Sequence, residues 1–129
     1  MNIIVDTDII IDFLRLKHRE ETIFIQVFHN QQNIVPVVFS TTISEIWAGK
    51  SIKNPRERAF IDKLFQSLSV LYPNLEIAKL TGQIIRDKNY TIAFTDASIA
   101  ACAVYYQLPF LTKNQKDFKG IDNLHFYFK

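Results

Sequence analysis

The chain has 129 residues, 48% of them hydrophobic and 13% aromatic, with only 3 Gly and 4 Pro, which suits one packed domain and excludes a disordered or low-complexity protein. Its apolar runs, such as residues 34–39, interrupted by Pro36, and residues 99–106, are far shorter than the roughly 20 residues a membrane helix needs. The net charge of +2, from 15 basic and 13 acidic side chains, singles out no partner by itself.

Residues 2–6 read as a buried strand, a β-branched run that stops at Asp6-Thr7-Asp8. No basic and apolar leader precedes it, so no secretory signal is expected. A helix is predicted from residue 8 or 9 to about 16. A second, over 20–30, places Ile23, Phe24, Val27 and Phe28 in one apolar stripe. Residues 34–40 form the next strand and 41–50 a short helix; Pro55, well placed in a first helical turn, opens another that runs to about 67. A third strand covers 69–72. Residues 74–88 are helical with Leu75, Ile77, Leu80, Ile84 and Ile85 inward, and 95–107 is apolar almost all round, so a buried helix is expected there. Residues 109–112 and 124–128 are the last strands. Strands alternating with helices predict an α/β fold: a single domain over 1–129 with a central, mostly parallel sheet of about five strands, covered by helices on both faces. The lone Cys102 cannot form an internal disulfide, which suits a reducing cytoplasm.

Four carboxylates, Asp6, Glu45, Asp96 and Asp117, each lie where an apolar segment meets a polar break. Such breaks form the ligand-binding edge of an α/β sheet, so these acids could converge there on a divalent metal. Asp6 ends a buried strand, although it and Asp8 also read as N-caps of the following helix. Glu45 closes Thr42-Ile43-Ser44-Glu45, which fits a capping box; if Ser40 caps the helix instead, Glu45 moves one turn further in, over the sheet edge. Asp96 stands at the start of the apolar helix, where free amides and the helix dipole favour its charge, and a metal ion would partner it. Asp117 and Asn114 follow Phe110-Leu111-Thr112 in a polar turn and could reach the same edge.

His18, His29 and His125 show no ligand-type spacing, and Gly49, Gly82 and Gly120 match no phosphate-cradling loop. If the four acids surround a cation, nine of the 13 acidic groups remain against 15 basic ones, a balance of +6 that suits a polyanionic substrate. Arg15, Lys17, Arg19 and the group Lys50, Lys53, Arg56, Arg58 read equally as solvated helix faces.

Jointly, IIVDTDIIIDFL (residues 3–14), STTISEIWAG (40–49), TDASIAA (95–101) and LTKNQKDF (111–118) resemble the successive motifs of the PIN-domain nucleases, most nearly the VapC-type toxins of bacterial and archaeal toxin–antitoxin pairs. The likeness runs over nearly the whole chain. It implies that Asp6, Glu45 and Asp96 are acidic metal-binding residues and that the fourth place falls on Asp117 or Asn114. Many members carry an acid where Asn114 stands. Asp8 occupies a position that often holds Asn or Ser, making it a candidate extra site acid, and Thr112 is a further candidate. The resemblance also implies Mg²⁺- or Mn²⁺-dependent hydrolysis of RNA by metal-activated water, a cytoplasmic homodimer, and a small antitoxin whose tail blocks the acidic pocket. The apolar stripe Ile9, Ile10, Phe13, Leu14, Ile23, Phe24, Phe28, with Trp47, supports such contacts only indirectly, since amphipathic helices normally pack on their own sheet.

Two other schemes use strand-end acids. Asp6-Thr7-Asp8 also resembles the D-x-D of haloacid-dehalogenase-type phosphatases, with Asp6 as covalent nucleophile; Ile10 departs from that motif, and the chain is too short for the usual cap domain. A receiver-like signalling module would use a Lys near the last strand, such as Lys113, but gives Glu45 and Asp96 no role.

Overall fold

The structure, a computed structural model, describes residues 1–15, 19–29, 31 and 33–128. Four strands, β1 (Asn2–Val5), β2 (Val35–Phe39), β3 (Ser69–Leu71) and β4 (Phe110–Leu111), form a parallel sheet in the order β3-β2-β1-β4. The chain lays β2 and then β3 on one side of β1 and finally returns to lay β4 on the other. Crossovers therefore diverge at the β1/β4 pair, and the crevice beyond the carboxyl ends of such a pair is where open α/β sheets bind ligands.

The α/β layering follows from strand alternation. Ile3, Val5, Val38 and Leu111 pack on one face with α1 (Thr7–Arg15), α2 (Ile23–Phe28), Ile46 of α3 (Ser40–Trp47) and Ile61 of α4 (Pro55–Ser67). Ile4, Val37, Phe39 and Phe110 pack on the other with α5 (Leu75–Asp87) and α6 (Phe94–Tyr106). Ala97, Ala100, Ala101, Cys102 and Ala103 of α6 are all buried, and their small side chains let α5 and the sheet approach closely. Burial pushes the Cys102 thiol up to about 12, so it holds its proton and is no nucleophile.

Local chemistry fixes the helix ends. Asn54 caps α4 by accepting from Arg56 and Glu57 N–H, with Pro55 at the first position. Asn74 caps α5 by accepting from Ile77 N–H at 2.8 Å. At the far end of α6, Gln107 takes left-handed backbone (φ 55°) while Leu108 N–H returns to the Ala103 carbonyl at 3.0 Å.

The expected sheet of about five strands is corrected to four. Residues 124–128 supply only an isolated bridge, Phe126 to Phe110. Their neighbour β4 has two residues, and a 2.8 Å bond from Phe110 N–H to the His125 carbonyl and a 2.9 Å bond from Tyr127 N–H to the Phe110 carbonyl already use both backbone groups of Phe110. The helix expected over 20–30 is a 3₁₀ turn, Arg19–Glu21, followed by α2; Leu16 and Asn30, where two predicted helices were to end, lie outside the described residues. The helix expected over 41–50 stops at Trp47 and gives way to a 3₁₀ turn, Lys50–Lys53. Leu75, expected inward, is 71% exposed, because as the first residue of α5 it precedes the buried stripe Ile77, Thr81, Ile84. In the apolar stripe, Ile9, Ile10, Phe13 and Phe24 belong to the core, whereas Trp47 is exposed. No described helix is long and apolar enough to cross a membrane.

Candidate active site

Asp6 is the single residue between β1 and α1. Its Oδ1 accepts the Thr7 N–H at 2.8 Å and its Oδ2 accepts the Thr112 hydroxyl at 2.7 Å, from just beyond β4. These bonds span the switch point of the sheet. Asp6 is only 5% exposed, and burial, then the charges of Asp8 and Asp96, push its carboxyl up to about 7 against the opposing pull of the Thr112 and Thr7 hydrogen bonds.

Glu45 arrives by a different route. β2 runs directly into α3, whose N-cap, Phe39, makes no side-chain cap bond. The capping box is therefore not formed, and Glu45 lies in the second turn. The buried Thr42 hydroxyl instead meets Thr7 Oγ1 at 2.9 Å, and Thr7 Oγ1 lies 2.8 Å from Glu45 Oε1. An ionised carboxylate only accepts, so Thr42 donates to Thr7 and Thr7 donates to Glu45.

Asp96 sits in the first turn of α6, a helix without a side-chain N-cap that is joined to α3 by Thr41 Oγ1 and Ser98 Oγ at 3.4 Å. Burial raises the half-buried Asp96 carboxyl, and the charges of Glu45, Asp117 and Asp8 raise it further. Asp117 is exposed in the 3₁₀ turn Gln115–Phe118, which the buried Phe118 pins to the core.

Asp8 lies within the first turn of α1 and is not its cap. Its Oδ2 accepts from Asn114 Nδ2 at 3.0 Å, and the Asn114 backbone N–H donates to Thr112 Oγ1 at 3.0 Å. Burial raises the Asp8 carboxyl, against the Lys113 and Ile9 backbone amides and the Lys113 charge. Asp8 Oδ1 is buried with no hydrogen-bond partner.

Acids from opposite ends of the chain thus converge on Asp96: it feels the charges of Glu45, Asp117 and Asp8, and its own charge reaches Asp6. Of the histidines, which the spacing already sets aside, His29 follows α2 and His125 bonds β4 through its carbonyl, while His18 lies outside the described residues. Three partners escape a sequence reading. Thr7 and Thr42 are core-facing hydroxyls in apolar surroundings, and Lys113 pairs with Asp12. Only the Asp-Thr-Asp run hints at Thr7.

Among the described residues, no three His, Cys, Asp or Glu side chains stand close enough, as turned here, to form a ready cage for an ion. The donor chemistry nonetheless fits a hard divalent cation, because the candidate ligands all offer oxygen, from carboxylates and from the Asn114 amide or Thr112 hydroxyl. Asp8 Oδ1, buried and unpartnered, is a group whose desolvation such a cation would offset.

A parallel sheet with acids gathered beyond its β1/β4 pair places the molecule among the α/β proteins that bind ligands at a switch point. The chain belongs to the PIN-domain family, which it matches over residues 3–124. Its affinity is with the VapC branch: it is 33% identical to a protein of Rickettsia bellii (strain RML369-C) described as Ribonuclease VapC, over 96% of this chain and 93% of that one. Among solved structures, it is similar to a chain of DNA-bound VapBC from Salmonella typhimurium, with a TM-score of 0.78 and 25% identity over 98% of this chain and 96% of that chain. VapBC-1 from nontypeable Haemophilus influenzae gives a TM-score of 0.76 at 26% identity over 98% and 96%. For VapBC2 from Rickettsia felis, bound to a DNA fragment from its promoter, the TM-score is 0.80 at 20% identity over 98% and 97%, a likeness of fold alone.

Proposed function

We propose that this chain is the endoribonuclease toxin of a type II toxin–antitoxin pair, and that it hydrolyses RNA phosphodiesters with a metal-activated water held over clustered carboxylates. The observation that carries this reading is the placement of Asp6 at the end of β1, bonded to Thr112 beyond β4, within reach of the charges of Asp8 and Asp96, the latter in turn feeling Glu45 and Asp117. The resemblance to a protein named Ribonuclease VapC supports the activity, and the similarity to VapBC complexes supports a small antitoxin partner.

In this reading Asp6, Glu45 and Asp96 hold Mg²⁺ or Mn²⁺, with Asp117 or Asn114 in the fourth place and Asp8 as an added acid. The ion, when bound, neutralises the phosphate, activates water for in-line attack and stabilises the departing oxygen. The protein's part is positioning. Thr112 fixes one oxygen of Asp6, Thr7 orients Glu45, and Asn114 orients Asp8, so the carboxylates are aimed before substrate arrives. No histidine is needed for proton transfer. The toxin acts as a cytoplasmic homodimer. Lys113, which a receiver-like module would turn toward its acids, pairs with Asp12 while its charge also reaches Asp8.

The test is cleavage of total cellular RNA with and without chelator, beside the Asp6→Asn and Asp96→Asn proteins. Chelator-sensitive cleavage that both variants lose while still folding is expected. Equal activity of either variant removes that residue from the mechanism, and phospho-aspartate trapped at Asp6 favours the phosphatase scheme.

A further inference from the structure

Beside the acidic pocket, a cleft of about 510 Å³ opens between α1, α3 and α4, a size within the roughly 300–1,000 Å³ of ligand sites. Glu45 lies on its wall, so the cleft adjoins the reacting centre. Arg15, Arg19, Arg56 and Phe60 line it too, with Glu57 as the other acid. The Arg19 guanidinium lies 4.5 Å from the centre of the Phe60 ring and 5.8 Å from that of Phe13, and the two rings stack at 6.2 Å and 26°. Arg19 is held there by donating from Nε to the Phe13 carbonyl at 3.0 Å and from Nη2 to the Leu14 carbonyl at 3.3 Å.

We infer that this cleft is a subsite for an unpaired nucleobase of the RNA strand, stacked on the Arg19–Phe60 platform, with Arg15 and Arg56 facing the flanking phosphates. The inference rests on the ribonuclease reading. Unpaired bases stack on aromatic rings and on guanidinium planes, and phosphates take the remaining cations. Neither Arg15 nor Arg56 has an ion-pair partner among the described residues. A strand with its scissile phosphate over the carboxylates would carry a neighbouring nucleotide past Glu45 into this cleft. An acidic peptide would use the arginines but leave a rigid, preassembled cation–ring stack without purpose, and so RNA is the occupant the geometry favours.

The test measures binding of a short fluorescein-labelled single-stranded RNA to the cleavage-deficient Asp6→Asn protein by anisotropy across a salt series. In that background Phe60→Leu, which keeps apolar packing against Phe13, is expected to weaken binding roughly tenfold or more without altering the salt slope. Arg56→Gln is expected to lower the slope by about 0.7, the loss of one phosphate contact. RNA bound equally by both variants, with unchanged slopes, overturns the subsite and leaves the ribonuclease reading standing. So does retention of RNA binding with loss of a co-expressed small protein partner, which would give the cleft to that partner. If wild-type protein neither binds nor cleaves RNA, both proposals fall together.

Discussion

The Thr112 hydroxyl donates to Asp6 Oδ2 at 2.7 Å across 106 residues of chain, joining the carboxyl ends of β1 and β4 where the acids gather. Thr112→Val keeps the shape and removes the donor, leaving a buried carboxylate oxygen without its partner. Chemical denaturation is expected to show a loss of about 1–3 kcal/mol, with Thr112→Ser restoring most of it. Equal stability of the valine variant would mean that solvent already supplies that bond.

Stability without divalent ions should fall as pH rises. Asp6 titrates near 3.8 when unfolded and about 7 when folded, so the folded state retains a proton that the unfolded state has lost. The stability from this group is full below about pH 4 and is lost as pH climbs through about 7, and the raised carboxyls of Asp8 and Asp96 act in the same direction. Urea midpoints at pH 5 and pH 8 check this, with Asp6→Asn expected to flatten the profile and added Mn²⁺ to restore the midpoint at the higher pH. A midpoint that rises between those values contradicts the assignment.

In the proposed mechanism Thr7 acts through Glu45, to which it donates at 2.8 Å. Thr7→Val should reduce metal affinity or cleavage roughly 10- to 100-fold, as losing an outer partner of a ligand commonly does. Calorimetric Mn²⁺ titration separates the two effects, and Thr7→Ser should bind as the parent does.

Two substitutions address the scaffold. Gln107 ends α6 in left-handed backbone that glycine adopts freely, so Gln107→Gly should stabilise by about 0.5–1 kcal/mol after the added chain entropy is set against the relieved strain. A lower melting temperature for that variant would show that the Gln107 side chain contributes more than its conformation costs.

The Lys113–Asp12 pair is partly open to water. Lys113→Met is expected to change stability by less than about 1 kcal/mol, the usual scale of such pairs. A larger loss in thermal melts would assign the pair a part in holding the loop after β4.

The positions of Asp6, just after β1, and Asp96, in the first turn of α6, are legible in the sequence because each borders an apolar run. Glu45 was ambiguous, since Thr42-x-x-Glu45 satisfies a purely local rule. Tertiary structure decides: β2 enters α3 without a turn, and the hydroxyl that would have capped the helix is taken by Thr7. The supposed strand at 124–128 had the right residue types but a partner only two residues long, a fact that composition does not carry. Lys113–Asp12 and Asn114–Asp8 join positions about a hundred residues apart with no shared periodicity, and nothing local announces them.

The joining of β1 to β4 also fixes an order of events in folding. Asp6 precedes by 106 residues the hydroxyl that secures it, and the turn bearing Asp117 follows that hydroxyl. A growing chain therefore holds the Asp6 carboxylate without its Thr112 partner until residue 112 has been made and docked.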